Sequence, residues 1–356
     1  MVVVQQSFRR NRGDNQQPSL PRSRAHRLRI SIGVAIGALA LVAFTPQTPR
    51  PALTVDAKAF QLDGQPQFAV GVSLFDALGP AAPRDQDLDA LKSWGINLVR
   101  VWAHWHEAIY LPDGTLSEPG RTRLVQLAKR LESRGLIFEL VLLRPGQLPG
   151  QPFALFASDA ARLKAVESIA SALREYRNVV FDLYNEHDHG DGPISHRAAR
   201  ALRDKVKAID TARLVTISST EHHFVSAQGE VTDAGAQNLR EEAGAGGEAV
   251  GVDLVAAHLP RTDDWAAATG ARVRALRAAL ERAGRTVPIY LNEERRADDG
   301  KPLGADNYAR ALNEARNAGA AGWLFHTTAG FELTKTAFLD AISADERAGL
   351  ARLKAR

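Results

Sequence analysis

Two glutamates stand out by what precedes them. In Val179–Asp188 (VVFDLYNEHD) a short apolar run delivers Asn185 and Glu186 and then turns polar at once. In Val287–Glu294 (VPIYLNEE) a second run breaks at Glu293, 107 positions after the first glutamate. Runs of this kind read as parallel strands buried on both faces. A carboxylate placed where the run stops lies at the strand's carboxyl end, where α/β barrels keep their chemistry. Two carboxyl groups facing each other across a rim suit hydrolysis of a glycosidic bond, one as general acid/base and the other as nucleophile.

The rest of the chain supplies elements to position them. Strand-like runs occur at Ala69–Ser73, Asn97–Trp102, Ile137–Leu143, Val179–Tyr184, Leu214–Ser218, Val252–Ala257, Val287–Leu291 and Ala321–Phe325. Amphipathic helical stretches follow at Arg121–Ser133, Asp159–Tyr176, His196–Ile209, Trp265–Ala283, Asp306–Ala318 and Thr336–Lys354, with Asp159 as a helix N-cap. A Gly- and Ala-rich segment, Ala234–Gly247, stands where a fifth helix is required. Strands alternating with helices in this number predict a single-domain (β/α)8 TIM barrel over residues 53–356. A doubly wound sheet lacks support, because Gly71-Val-Ser-Leu-Phe is not a dinucleotide fingerprint. Ahead of the first barrel strand, Leu53–Phe60 and Gln67–Val72 flank Leu62-Asp-Gly-Gln-Pro, a hairpin expected to cap the barrel.

Charge divides the 356 residues unevenly. Residues 1–50 carry eight arginines against one acid, Asp14, whereas the remainder holds 37 basic and 40 acidic residues. The folded part therefore offers no footprint for nucleic acid. Residues 1–29 form a basic n-region, 30–44 (ISIGVAIGALALVAF) an uncharged apolar stretch, and 45–52 a linker. Fifteen uncharged residues fall short of the ~20 that span a bilayer comfortably. Two readings follow, a cleaved signal peptide or an uncleaved anchor, and both export the domain, with membrane contact through this segment only. The chain has no cysteine, which excludes disulfides, thiol nucleophiles and thiolate metal sites.

At the two glutamates the chain resembles a family, the (β/α)8 retaining glycosidases that include glycoside hydrolase family 5, the cellulase and mannanase group. The matching features are Trp94-Gly-Ile-Asn-Leu-Val-Arg100, Asn185–Glu186, the Val252–His258 strand, Pro288–Glu293 and the Leu62-Asp-Gly-Gln-Pro hairpin, spread over roughly residues 55–335. The resemblance implies Glu186 as acid/base and Glu293 as nucleophile in a retaining reaction on β-linked oligo- or polysaccharides. It also implies that Asn185 hydrogen-bonds the sugar 2-hydroxyl, that Arg100 keeps Glu293 ionised, and that His258 lines the pocket. Glu294 is the alternative nucleophile; strand alternation turns one of the two neighbours away, and the spacing from Pro288 favours Glu293.

The chain departs from the family pattern in the shell around these residues. Pro260 stands where a His-x-Tyr motif has its tyrosine, His326 where a tryptophan often ends the last strand, Arg144 where a histidine is common, and His187 where a proline usually follows Asn–Glu. Trp102 and Trp105 are candidate sugar-stacking faces with core packing as the competing role, whereas Trp323 reads as core. The loss of the usual shell keeps a non-catalytic carbohydrate-binding protein open as an alternative. A third alternative, a metal-dependent barrel hydrolase, rests on His187-Asp188-His189-Gly190-Asp191 with His222-His223. The two-carboxylate reading requires neither metal nor cofactor.

Overall fold

The structure, a computed structural model, describes residues 52–353 apart from 82, 146–155, 157, 191 and 298–301. The N-terminal basic and apolar segments lie outside the described residues. Among the described residues, no helix is long and apolar enough to cross a membrane.

Eight parallel strands form the barrel: β4 (Ala69–Ser73), β5 (Leu98–Trp102), β6 (Ile137–Val141), β7 (Val179–Asp182), β8 (Leu214–Thr216), β9 (Val255–His258), β10 (Ile289–Glu293) and β11 (Gly322–Phe325). Their order is β8-β7-β6-β5-β4-β11-β10-β9, and a parallel bridge between Ser218 and Ala256 brings the two outer strands together. Each strand is buried along its length, as expected where helices cover one face and the barrel interior the other. The eight runs predicted from sequence are these strands, with ends displaced by up to three residues.

The helices are α1 (Asp85–Ser93), α2 (Glu118–Glu132), α3 (Asp159–Ala172), α4 (His196–Ile209), α5 (Asp233–Glu242), α6 (Trp265–Arg282), α7 (Ala305–Asn317), α8 (Phe338–Ala341) and α9 (Ala344–Leu353). Four of them start on a hydroxyl: Ser117, Ser158, Ser195 and Thr232 accept hydrogen bonds from Gly120, Ala161, Ala198 and Gly235 N–H. Asp159 is thus the first helical residue and Ser158 the cap, because the shorter Ser side chain sits where it reaches the third amide of the turn. The long C-terminal helix divides in two. Ser343 and Glu346 form a reciprocal box, Ser343 N–H to Glu346 Oε2 at 3.1 Å and Glu346 N–H to Ser343 Oγ at 3.2 Å, which restarts the helix.

The N-terminal hairpin is a three-stranded antiparallel sheet, β1 (Leu53–Val55), β2 (Phe60–Leu62) and β3 (Gln65–Gln67). Asp63 and Gly64 both have positive φ, 53° and 73°, the two-residue primed turn that Asp-Gly favours. The first predicted arm is broken at Asp56, whose Oδ1 accepts from Lys58 and Ala59 N–H at 2.8 Å each and turns the chain. Leu53 and Phe60 pack onto Ala69, Leu98, Ile137, Val180, Leu214, Leu254, Tyr290, Ala321 and Leu324. These residues start the barrel strands, so the small sheet closes the N-terminal end and leaves chemistry to the other rim.

Candidate active site

Strand periodicity places Leu98, Arg100 and Trp102 of β5 on one face, toward the barrel interior. Arg100 is fully buried and shared among three carboxylates. Its Nη2 donates to Asp182 Oδ2 at 2.7 Å and Asn185 Oδ1 at 2.8 Å; its Nη1 donates to Glu293 Oε2 at 3.0 Å; its Nε lies 3.1 Å from Glu139 Oε1. Glu139 in turn accepts from Tyr290 Oη and Asn292 Nδ2, each at 2.9 Å. Burial pushes the Glu139 carboxyl up to about 7, opposed by Arg100 and reinforced by Asp182. Ser218 completes the layer, donating through Oγ to Asp182 Oδ2 at 2.7 Å.

Tyr290 and Asn292, two apart on β10, both reach Glu139 inside the barrel, so strict alternation would send Glu294 inward after them. The register between β10 and β9 shifts between Tyr290 and Glu293 instead. This irregularity re-aims the strand end and brings Glu293 onto Arg100. A second cation, Arg261, donates from Nη2 to Glu293 Oε1 at 2.8 Å. His326 Nε2 and His258 Nε2 stand 3.4 and 3.8 Å from its oxygens. Burial alone would raise the Glu293 carboxyl, but His326, His258, Arg261 and Arg100 together hold it well below the usual carboxylate range. Burial, with Arg261, Arg296 and Arg100 nearby, holds the His326 imidazole well below its ordinary value against the pull of Glu293. Its Nδ1 meets Ser73 Oγ at 3.2 Å, and its Nε2 meets Arg296 Nη1 at 2.8 Å.

Glu186 stands just past β7 with φ 49°, a left-handed conformation rare for a residue with a Cβ. The strain, roughly 1–2 kcal/mol, is held by the surrounding turn, in which His189 N–H donates to Glu186 O at 2.9 Å. Glu186 Oε1 lies 3.3 Å from His258 Nδ1. One carboxylate oxygen of Glu186, one of Glu293 and a ring nitrogen of His258 all lie within 4.8 Å of one another. The two carboxylates differ in access: the Glu186 side chain is 24% exposed, that of Glu293 8%.

The structure therefore gathers Arg100, Asn185, Glu186, His258, Glu293 and His326 around one pocket floor. The tryptophans are placed differently. Trp102 is 1% exposed, stacked on Phe75 at 3.6 Å between ring centroids and covered by Arg100 at 4.4 Å. Trp105 is 7% exposed between Phe75, Phe331 and Arg144. Both rings belong to an aromatic cluster that supports the rim, and neither offers an open stacking face. Trp323 is core. In the loop proposed as metal-binding, Asp188 accepts from Thr220 N–H and Oγ1 and pairs with His223; His222 is exposed, and Asp191 lies outside the described residues. Two guanidinium groups already occupy the Glu293 carboxylate, which disfavours a further cation between it and Glu186.

Sequence reasoning missed Glu139, Asp182 and Arg261. The first two carried a signal, a lone acid inside an apolar strand run. Arg261 follows the departure at Pro260 and fills the space beside Glu293 from a loop, where no periodicity points to it.

The sequence profile of the cellulase family, glycosyl hydrolase family 5, matches residues 55–271. The chain belongs to that family. The matched region includes Arg100, Glu186 and His258 and ends before β10. A search of curated protein sequences gives no match. The family 5 barrel is similar to a GH5-4 broad-specificity endoglucanase from an uncultured bacterium, at TM-score 0.59 and 14% identity over 81% of this chain and 94% of that one. It is similar to an endo-1,4-β-mannanase from Rhizomucor miehei, at TM-score 0.56 and 13% identity over 85% and 98%. An exo-β-1,4-mannosidase from Opitutaceae bacterium strain TAV5 gives TM-score 0.60 and 16% identity over 85% of this chain and 61% of that one. At these identities the likeness is one of fold. The family makes this protein a glycosidase.

Glu294, the neighbour that the register shift turns out of the site, supplies a separate expectation. It is 2% exposed, its Oε1 has no hydrogen-bond partner, and burial pushes its carboxyl up to about 7. A raised acid holds its proton more tightly in the folded state, so its contribution to stability is present below the ordinary value of 4.5 and is lost as pH rises through 7. Glu294→Gln, neutral at every pH, is expected to melt higher than the wild type at pH 8 and close to it at pH 5. The difference at pH 8 is on the order of 3 kcal/mol. Equal melting shifts at both pH values would show that Glu294 is ionised or solvated in the fold.

Proposed function

We propose that this glycosidase cleaves β-linked glycans with retention, Glu293 acting as nucleophile and Glu186 as acid/base. The observation that carries the reading is the separation of the two carboxylates, with oxygens within 4.8 Å. Retaining enzymes hold their carboxyl groups about 5–5.5 Å apart, whereas inverting ones leave about 6.5–9.5 Å for a water.

The surroundings suit the division of labour. Glu293, ionised beside Arg100 and Arg261 and shielded from solvent, attacks the anomeric carbon as the Glu186 carboxyl protonates the departing oxygen. Water then enters along the more open Glu186 side; Glu186 takes its proton, and the glycosyl ester on Glu293 is released. Because Arg100 can only donate, the Asn185 oxygen faces it and the Asn185 amide N–H is left toward the sugar, where it can hold a 2-hydroxyl. His258 lies between the two carboxylates and meets Glu186 through Nδ1 at 3.3 Å. Arg261 supplies beside Glu293 a fixed positive charge that the family's usual tyrosine would not.

The names of the structural neighbours, an endoglucanase, a mannanase and a mannosidase, support a β-glucan or β-mannan substrate, and the basic and apolar residues 1–44 support export, cleaved or tethered. The test is a panel of aryl β-glycosides and soluble β-glucans and β-mannans with wild type and Glu186→Ala. Loss of the acid is expected to cut glycan hydrolysis about 10²–10⁴-fold. Aryl glycosides with good leaving groups, which depart without a proton, lose far less in the glycosylation step. An equal loss on all substrates would remove Glu186 from the role of acid. Binding of one glycan with no turnover of any would favour the non-catalytic reading.

A further inference from the structure

A second cluster of ligating side chains lies behind the loop that carries Glu186. His187 follows that glutamate, His196 begins α4, His223 stands in the loop after β8, and Glu242 ends α5. Four elements thus converge on the Glu242 carboxylate, which is completely buried. His187 Nε2 and His223 Nε2 each lie 3.0 Å from Glu242 Oε1, and His196 Nε2 lies 3.9 Å from the same oxygen. The four candidate ligand atoms are all within 4.8 Å of one another.

The far side of each ring is tied down. His187 Nδ1 faces Ile194 O at 3.4 Å, His223 Nδ1 faces Asp188 Oδ2 at 2.9 Å, and His196 Nδ1 faces Glu241 Oε2 at 2.6 Å. A carbonyl or carboxylate only accepts, so each Nδ1 is the protonated nitrogen. Each Nε2 in a neutral ring then turns a lone pair toward an oxygen that carries lone pairs of its own. Acceptors gathered on an acceptor need positive charge among them, either a metal ion or the second proton of an imidazolium. His196 Nε2 and Glu242 Oε2 are, besides, buried atoms without a hydrogen-bond partner. Imidazoles oriented through Nδ1 by carboxylates and a carbonyl are the arrangement that metal-ligating histidines use.

We propose that His187, His196, His223 and Glu242 bind a divalent transition metal ion, with Zn²⁺ the best match to three imidazoles and a carboxylate. A tetrahedron of N and O ligands at about 2.1 Å has edges of about 3.4 Å, which lies between the 3.0 Å of the shortest ligand spacings here and the 4.8 Å that bounds the set. Four protein ligands close the coordination shell, so the ion is structural. It ties the loops after β7 and β8 to α4 and α5 and braces the strained turn at Glu186 from behind. Binding of the ion does not depend on the assignment of Glu186 and Glu293.

The experiment uses the full chain, freed of metal with a chelator and then titrated with Zn²⁺ or Co²⁺. Expected are one ion per chain by elemental analysis, the visible absorption of tetrahedral Co²⁺, and a rise in Tm on Zn²⁺ addition of about 5 °C. His196→Gln, changed at a half-buried helix start, is expected to fold by circular dichroism and to lose stoichiometric binding, the Co²⁺ spectrum and the Zn²⁺-dependent Tm rise. Glu186→Gln, in the other pocket, keeps all three. Wild-type protein that takes up no stoichiometric metal and melts alike with and without Zn²⁺ would overturn the proposal and leave the quartet bridged by protons. Undiminished binding by His196→Gln would overturn it as well.

Discussion

Glu293→Gln is expected to lower kcat by roughly 10³-fold or more on any glycan the wild type hydrolyses, with KM changed far less. The amide is nearly the size of the carboxylate and its oxygen can still accept from either Arg100 or Arg261, though not both, so most of the pocket's shape survives while the proposed nucleophile is gone. The size of the effect rests on the state of the group replaced. Arg100 and Arg261, each donating to one of its oxygens, hold Glu293 ionised in a site from which water is largely excluded. An uncharged amide there removes the bond-forming atom itself. Circular dichroism and urea unfolding of the variant establish that it folds, and a rate within tenfold of wild type would place the nucleophile elsewhere.

The second large effect concerns Arg100. Its guanidinium is the shared counterion of Glu139, Asp182 and Glu293, all in the barrel interior. Arg100→Met keeps much of the volume but leaves three carboxylates without their common cation. Removing one partner of a buried ion pair costs about 3–5 kcal/mol, because the desolvated charge that remains has nothing to offset it. The cost depends on pH. Arg100 opposes the rise of the buried Glu139 carboxyl, so without it that group titrates higher still; protonation relieves the repulsion at low pH, and stability falls as pH rises. Urea unfolding at pH 5 and pH 8 is expected to show the larger deficit at pH 8. A variant as stable as the wild type at pH 8 would mean that the network contributes nothing to the fold.

Much of this architecture is written in local pattern. Each barrel strand is a short apolar run ended by polar residues, and the (β/α)8 alternation follows from counting them. The Asp63–Gly64 turn and the glutamates at two strand ends follow from chemistry confined to a few consecutive residues. What local pattern does not carry is long-range placement. The choice between Glu293 and Glu294 is made by a register shift against β9, and parity alone points to the wrong neighbour once Tyr290 and Asn292 are known to face inward. Trp102 has the composition of a sugar platform, yet Phe75, 27 positions earlier, lies flat against it. The histidine–glutamate cluster shows the same limit. His187 and Asp188 attract notice in sequence, but His196 and Glu242 read as ordinary helical positions. Of the pair after β8, it is His223 that turns inward while His222 stays exposed.

The central claim is that sugar is transferred to Glu293 and then to water. Its most direct test is to incubate the wild type with a 2-deoxy-2-fluoro glycosyl fluoride of the preferred sugar, which slows release of the covalent intermediate, and to map the labelled peptide by mass spectrometry. The account predicts one glycosyl group per chain, on the peptide containing Val287–Glu294, with fragmentation placing it on Glu293. A label on Glu186 or Glu294, or rapid turnover of the preferred natural sugar with inversion at the anomeric carbon, would contradict it.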